Sequence, residues 1–172
     1  DIGVSHITVR EWLSVLEASY VIFLLPAYYR NFNKRIIKSP KIYFIDVGLA
    51  CYLLGIENPN QVSRDPLLGG IFENFVVLEI LKYYWSKGRD APLYFFRDNV
   101  GNEVDLIIEK VRNVIGVEIK AGKTIHSGWF KGLDYLAKTT GATLLSRNVI
   151  YGGVDSIKRE GVELFSYRGI SD

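Results

Sequence analysis

Hydrophobic positions change period several times along the chain, and each change marks an element. Ser5 stands as an N-cap ahead of HITVREWLSVLEAS, where Ile7, Val9, Trp12, Leu13, Leu16 and Ala18 recur at helical spacing. Tyr20 to Tyr29 and Lys41 to Ile45 are β-like runs separated by a basic loop. A helix followed by a two-stranded ribbon is the rear half of a winged helix, so residues 1–45 are expected to form a partial one. Asp46 then caps a helix, DVGLACYLL, that Gly55 stops. Glu57 to Leu68, with Pro59 and Pro66, reads as a loop, which makes residues 46–68 a connection between two parts.

Residues 69–172 carry a longer pattern. Gly70 to Trp85 is an unusually apolar helix that ends before Gly88. Leu93 to Arg97, Glu103 to Glu109 and Val114 to Lys120 read as strands, the first two joined in a hairpin by Asp98-Asn99-Val100-Gly101-Asn102. Trp129 to Lys138 reads as a helix, and Ala142 to Tyr151 and Val162 to Tyr167 as strands. The order α-β-β-β-α-β with a terminal strand added predicts an α/β fold, a mixed sheet flanked by helices.

Composition narrows the class. At 172 residues, 48% apolar and 23% charged, the chain can bury a core and hold one domain or one and a fraction. Its longest apolar run, Tyr20 to Tyr29, contains Pro26 and falls short of the roughly 18 residues a membrane span needs. There is no secretory pattern, and the single Cys51, read as a buried free thiol, fits a reducing cytoplasm. The chain opens with Asp1 and contains no methionine, so sequence is expected to precede it.

A net charge of +2 says nothing about partners, but its distribution is uneven. Arg30, Lys34, Arg35, Lys38 and Lys41 fall in one stretch without an acidic residue. Arg30, Lys34 and Arg35, with Arg10 as the only cation on the outward face of the first helix, are the candidate nucleic-acid contacts. A solvated loop explains the basic stretch equally well.

The chemistry concentrates in VGNEVDLIIEKVRNVIGVEIKAG, residues 100–122. Side chains alternate along a strand, so Glu118 and Lys120 project on one side while Val117 and Ile119 take the other. A carboxylate and an ammonium on one face of an apolar strand call for a reason. Mg²⁺ or Mn²⁺ chemistry supplies one: hard cations take oxygen ligands and keep several waters, so the Asp105 and Glu118 carboxylates and the Ile119 carbonyl suffice. Lys120 would orient the attacking water or stabilise charge on a phosphate. Glu73 joins them as a carboxylate whose helical face otherwise carries Val77, Ile80 and Tyr84. Glu103 shares a strand face with Asp105 by period two, either supporting that carboxylate or, the preferred reading, facing solvent at the strand's start; Asp98 reads as turn chemistry.

Other chemistries lack support. GVEIKAGKT has Val117 where a phosphate-binding loop needs glycine. His6 and His126 are far apart without a Cys/His cluster, so zinc is not expected. Ser5 and Ser127 have no nucleophile-elbow context.

In spacing and order, Asp105 and Glu118-Ile119-Lys120 resemble the PD-(D/E)xK nuclease superfamily, which has the restriction-endonuclease-like fold. There a carboxylate opening one strand is followed, after a hairpin, by (D/E)-x-K on the next. Glu73 matches the acidic residue often found on the preceding helix, and Val104 replaces the proline of the motif's name. Residues 1 to about 150 also resemble the C-terminal region of archaeal and bacterial AAA+ ATPases, through LEASYVIFLLPAYYRNFNKRIIKSPKIYFIDVGLACYLLGI, GGIFENFVVLEI and GNEVDLIIE…VEIKAG. The resemblance implies an ATPase module outside this chain, which alone would bind ATP, then a winged helix and a domain of unknown function. The nuclease resemblance implies metal-dependent phosphodiester hydrolysis of DNA; the alternative is a non-catalytic nucleic-acid-binding or assembly module attached to the ATPase.

Overall fold

A computed structural model describes residues 3–29, 37–111, 113–139 and 143–170. The Ser5 hydroxyl accepts from the backbone N–H of Thr8 and opens α1 (His6–Ala18). The helix forms where its periodicity predicts, yet none of its residues is buried, and Ile7, Trp12 and Val15 face solvent. Tyr20, with a φ of 55°, turns the chain out of the helix. β1 (Ile22–Leu25) and β2 (Lys41–Phe44) then pair antiparallel, Leu25 opposite Lys41. β1 is shorter than its apolar run because Pro26 has no N–H to extend the ladder. Arg30, Lys34 and Arg35 lie outside the described residues.

Asp46 caps α2 (Val47–Leu53) through the N–H groups of Gly48 and Leu49. Cys51 on this helix is half-buried, not enclosed as expected. The presumed loop after it contains a one-turn helix, α3 (Pro59–Val62). Asn58 and Gln61 cap each other's backbone, and Pro59 occupies the first turn, where its missing N–H costs nothing. α4 (Leu68–Ser86) is apolar around much of its circumference because it is packed into the core, with Val76, Val77, Leu78 and Leu81 enclosed.

The main sheet is built from β3 (Leu93–Arg97), β4 (Glu103–Lys110), β5 (Asn113–Lys120), β6 (Thr143–Tyr151), β7 (Ile157–Arg159) and β8 (Val162–Ser166). Its strand order is β3-β4-β5-β6-β8-β7. The first three form an antiparallel meander, and β6 lies parallel to β5 after a crossover through α5 (Lys131–Thr139). β8 runs parallel to β6, and β7 closes the edge antiparallel to β8. β7 escaped the sequence reading because it is three exposed residues long, with no buried position to set a period. Asp98 forms the β3–β4 turn as expected: its Oδ1 accepts from the N–H groups of Val100 and Asn102, and its Oδ2 from the Asn102 amide.

The fold is therefore mixed α/β, a six-stranded sheet with helices against it. One core unites Leu25 and Tyr43 of the ribbon with Val77 and Leu81 of α4 and Leu106, Val117 and Ile119 of the sheet. A second holds Leu133 and Leu136 of α5 against Val104, Val114, Val149 and Leu164. The ribbon also extends the sheet edge: the Tyr28 N–H donates to the Phe95 carbonyl at 2.7 Å and the Phe95 N–H to the Pro26 carbonyl at 3.0 Å. No described helix is long and apolar enough to cross a membrane.

Candidate functional site

Five element ends meet at one place: the starts of β2, β4, α4 and α5, and the finish of β5. The pairing of Leu106 with Val117 sets the preceding Asp105 beside the following Glu118 across the β4–β5 ladder. Both carboxylates are buried, Asp105 to 7% and Glu118 to 5% exposure, so each needs a partner. Lys120 supplies one to both, its Nζ standing 2.8 Å from Glu118 Oε2 and 3.2 Å from Asp105 Oδ2. The Ile119 N–H, which lies between them in sequence, donates to Asp105 Oδ2 at 2.8 Å. The sequence-predicted set Asp105, Glu118, Ile119 and Lys120 is thus brought together.

Glu73, in the second turn of α4, faces this group through an intermediary that the sequence reading counted only as the last cation of the basic stretch and the first residue of a β-like run. Lys41 at the start of β2 places its Nζ 2.9 Å from Glu73 Oε1, 2.6 Å from Glu103 Oε1 and 3.9 Å from Asp105 Oδ1. Tyr43, two residues on and on the same side of the strand, donates its hydroxyl to Glu73 Oε1 at 2.5 Å. Glu103 is therefore not the solvent-facing residue expected: it bonds Lys41 and also lies 3.6 Å from the Arg97 guanidinium. Strand alternation put it on the same face as Asp105, and the partner that draws it inward comes from a distant part of the chain. Arg10 stands exposed on α1 and is not among the groups around Asp105.

Two unexpected residues hold this arrangement. Asn74 clamps β2 to α4, its amide donating to the Phe44 carbonyl and its Oδ1 accepting from the Phe44 N–H, both at 2.8 Å. Gly132 lets the first turn of α5 approach the site: a Cβ there would stand 2.0 Å from the Glu103 carbonyl oxygen and 2.6 Å from Glu118 Oε1. Neither has a sequence signal of its own. For Lys41 and Tyr43 there was one, the same two-residue alternation that marked Glu118 and Lys120.

The electrostatics follow from burial and crowding. Burial and the neighbouring Asp105 push the Glu118 carboxyl well above the usual carboxylate range, and Lys120 only partly offsets them. Burial works against the charge on Lys120, but Asp105 and Glu118 outweigh it and raise its pKa. The same holds for Lys41: burial lowers its pKa, and Glu73, Glu103 and Asp105 more than reverse that. Burial, then Glu73, raises the Tyr43 phenol, so it stays neutral and donates.

Two clefts open on either side. One, of about 610 Å³, is lined by Glu73, Ile119, Lys120, Lys123, His126 and Trp129. The other, of about 300 Å³, is lined by Glu103, Asp105, Glu118, Lys120, Trp129 and Lys131. Lys120 and Trp129 border both.

Among the described residues, no group of three or more His, Cys, Asp or Glu side chains is arranged to hold a metal ion by itself. Two adjacent buried carboxylates, Asp105 and Glu118, border the smaller cleft, and they are the oxygen donors a hard divalent ion that retains waters would use.

Residues 68–168 match the family model described as a domain of unknown function (DUF4143). The chain belongs to the DUF4143 family. Residues 1–60 match a second model, likewise described as a domain of unknown function (DUF8612). Uncharacterized proteins of Mycobacterium bovis and Mycobacterium tuberculosis are each 34% identical over 124 residues, 72% of this chain. The chain spans 27% of the length of these curated relatives. No solved structure gives a significant match.

Proposed function

We infer that this DUF4143 chain carries a metal-dependent phosphodiesterase centre acting on DNA. The observation that supports it is the Lys120 ammonium lying within 3.2 Å of both the Asp105 and Glu118 carboxylates on neighbouring strands, beside an open cleft. Asp105 and Glu118 hold the ion, with the Ile119 carbonyl beside them as a third oxygen. Mg²⁺ or Mn²⁺ bound there supplies Lewis-acid polarisation of the phosphate and a water of lowered pKa. Lys120, kept charged by its two carboxylates, orients the attacking water or steadies charge developing on the phosphate. Glu73, fixed by Tyr43 and Lys41, accepts a proton or positions water at the edge of the larger cleft. Lys123, His126 and Lys131 along the clefts suit a polyanionic strand. The α-β-β-β-α-β order is consistent with the restriction-endonuclease-like fold.

On this reading the chain is cytoplasmic and works attached to an AAA+ ATPase module, which alone handles ATP. A second reading, a non-catalytic nucleic-acid-binding or assembly module for that ATPase, draws on the direct pairing of these carboxylates with lysines. Cleavage of plasmid or oligonucleotide DNA with Mn²⁺ distinguishes the two when wild type is compared with Asp105→Ala and Lys120→Ala. Loss of cutting in both variants is expected. Equal cutting in all three points to a contaminant and rejects the nuclease reading.

A further inference from the structure

Trp129 has a prepared seat between the two clefts. β5 and β6 run parallel and finish level, Lys120 opposite Tyr151, and the crevice beyond the carboxyl ends of parallel strands is where open α/β sheets take ligands. The chain leaving β5 is fixed there. The Gly152 N–H donates to the Lys120 carbonyl at 3.0 Å and to the Gly122 carbonyl at 3.3 Å, and a Cβ at Gly152 would stand 2.2 Å from the Ala121 carbonyl oxygen. Trp129 rests on this floor. A Cβ at Gly122 would lie 3.4 Å from its benzo ring, and its ring centroid is 6.3 Å from that of Tyr151 and 5.8 Å from that of His126. Held on these sides, the indole is half-buried and still borders both clefts. An aromatic surface fixed in advance loses little freedom when something stacks on it.

The charges around it are unevenly committed. Glu73, Glu103, Asp105 and Glu118 each have a lysine ammonium within 3.2 Å. Lys123 beside the larger cleft and Lys131 beside the smaller are exposed and make no ion pair among the described residues. An aromatic platform with an uncommitted cation on either side is the arrangement that takes a single nucleic-acid strand: the cations follow the phosphates, and a base lays its face on the ring. In a duplex the base faces are already stacked on one another, and reaching Trp129 would require extruding a nucleotide. The larger cleft, about 610 Å³, has the size of a small-ligand pocket, with room for splayed nucleotides and not for a double helix.

We propose that Trp129 is a base-stacking platform and that the nucleic acid taken by this site is single-stranded, its phosphates held by Lys123 and Lys131. The proposal rests on the nucleic-acid reading of the site and adds the form of the polymer and the residue that selects it. Stacking and phosphate contact need no metal, so binding is separable from cutting.

The test is fluorescence anisotropy of a labelled oligothymidylate, alone and annealed to its complement, with the full chain in low salt and EDTA. Wild type is expected to bind the single strand more tightly than the duplex. Trp129→Ala is expected to weaken single-strand binding about 5- to 100-fold and to leave duplex binding nearly unchanged. Lys123→Gln combined with Lys131→Gln is expected to lower affinity for both forms and flatten its salt dependence. Equal affinity for the two forms in wild type, no binding of either, or Trp129→Ala binding the single strand as wild type does, overturns the proposal; the nuclease reading then stands if Mn²⁺-dependent cutting persists. Selectivity that disappears in Trp129→Ala, in a protein that never cuts, supports the proposal and rejects the nuclease reading. If circular dichroism shows Trp129→Ala unfolded, emission decides. The other tryptophans, Trp12 and Trp85, are exposed, and with both changed to phenylalanine the Trp129 emission is expected to fall as oligothymidylate is added. Emission that stays constant where the anisotropy saturates refutes stacking.

Discussion

Replacing Gly132 by alanine is expected to destabilise the protein and distort its acidic site, against the usual helical preference. The added methyl carbon would stand 2.0 Å from the Glu103 carbonyl oxygen and 2.6 Å from Glu118 Oε1, where ordinary contacts exceed 3 Å. The first contact is with backbone, so relief requires moving the start of α5 or the start of β4 by more than an ångström. Leu133 and Leu136, both at 0% exposure, resist that movement. Overpacking of this kind costs about 3 kcal/mol, and the helix propensity gained on going from glycine to alanine returns up to about 1. A net loss of about 2 kcal/mol lowers Tm by about 4–8 °C for a chain of this size. Gly128, in the preceding turn, is the control, because a Cβ there meets nothing within 4 Å. Thermal and urea melts of wild type, Gly128→Ala and Gly132→Ala read the difference. A Gly132→Ala protein as stable as Gly128→Ala would refute the close packing of α5 on the site.

Three further outcomes follow from the same geometry. Lys120→Met leaves two buried carboxylates side by side; with Lys120 31% exposed, the loss is about 2 kcal/mol in urea melts, and saturating Mn²⁺ is expected to restore it. Unchanged stability without metal would contradict the strained pairing. Asn74→Ala removes both bonds to Phe44 and is expected to cost about 2 kcal/mol and speed amide exchange at Phe44; exchange as slow as in wild type would show that other contacts hold the ribbon. Asp98→Ala removes the acceptor of the β3–β4 turn and is expected to cost about 1 kcal/mol, with less effect on Mn²⁺ binding than any change at Asp105.

How far the sequence reaches can be judged at particular residues. Glu118 and Lys120 were legible because strand alternation is a local rule, and the hairpin fixed Asp105 opposite them. The α/β order was legible for the same reason: each element carries its own period. Lys41 was not, although its alternation with Tyr43 was visible, because its role depends on the Asn74 clamp between β2 and α4, some 30 residues apart in sequence. For Glu103 the preferred solvent-facing reading gave way to the alternative of a residue supporting Asp105, since its partner is that same lysine. Gly132 matters only because α5 happens to cross there. The stripe of α1 was correctly read as helical, but periodicity says which side is apolar and not whether anything in this chain covers it.

A crystal of the chain soaked in Mn²⁺, with anomalous scattering recorded, tests the metal centre most directly. An anomalous peak bound by the Asp105 and Glu118 carboxylates, with Lys41 still between Glu73 and Glu103, is the predicted result. Density showing both carboxylates paired with Lys120 as before, and manganese absent or elsewhere, would contradict it.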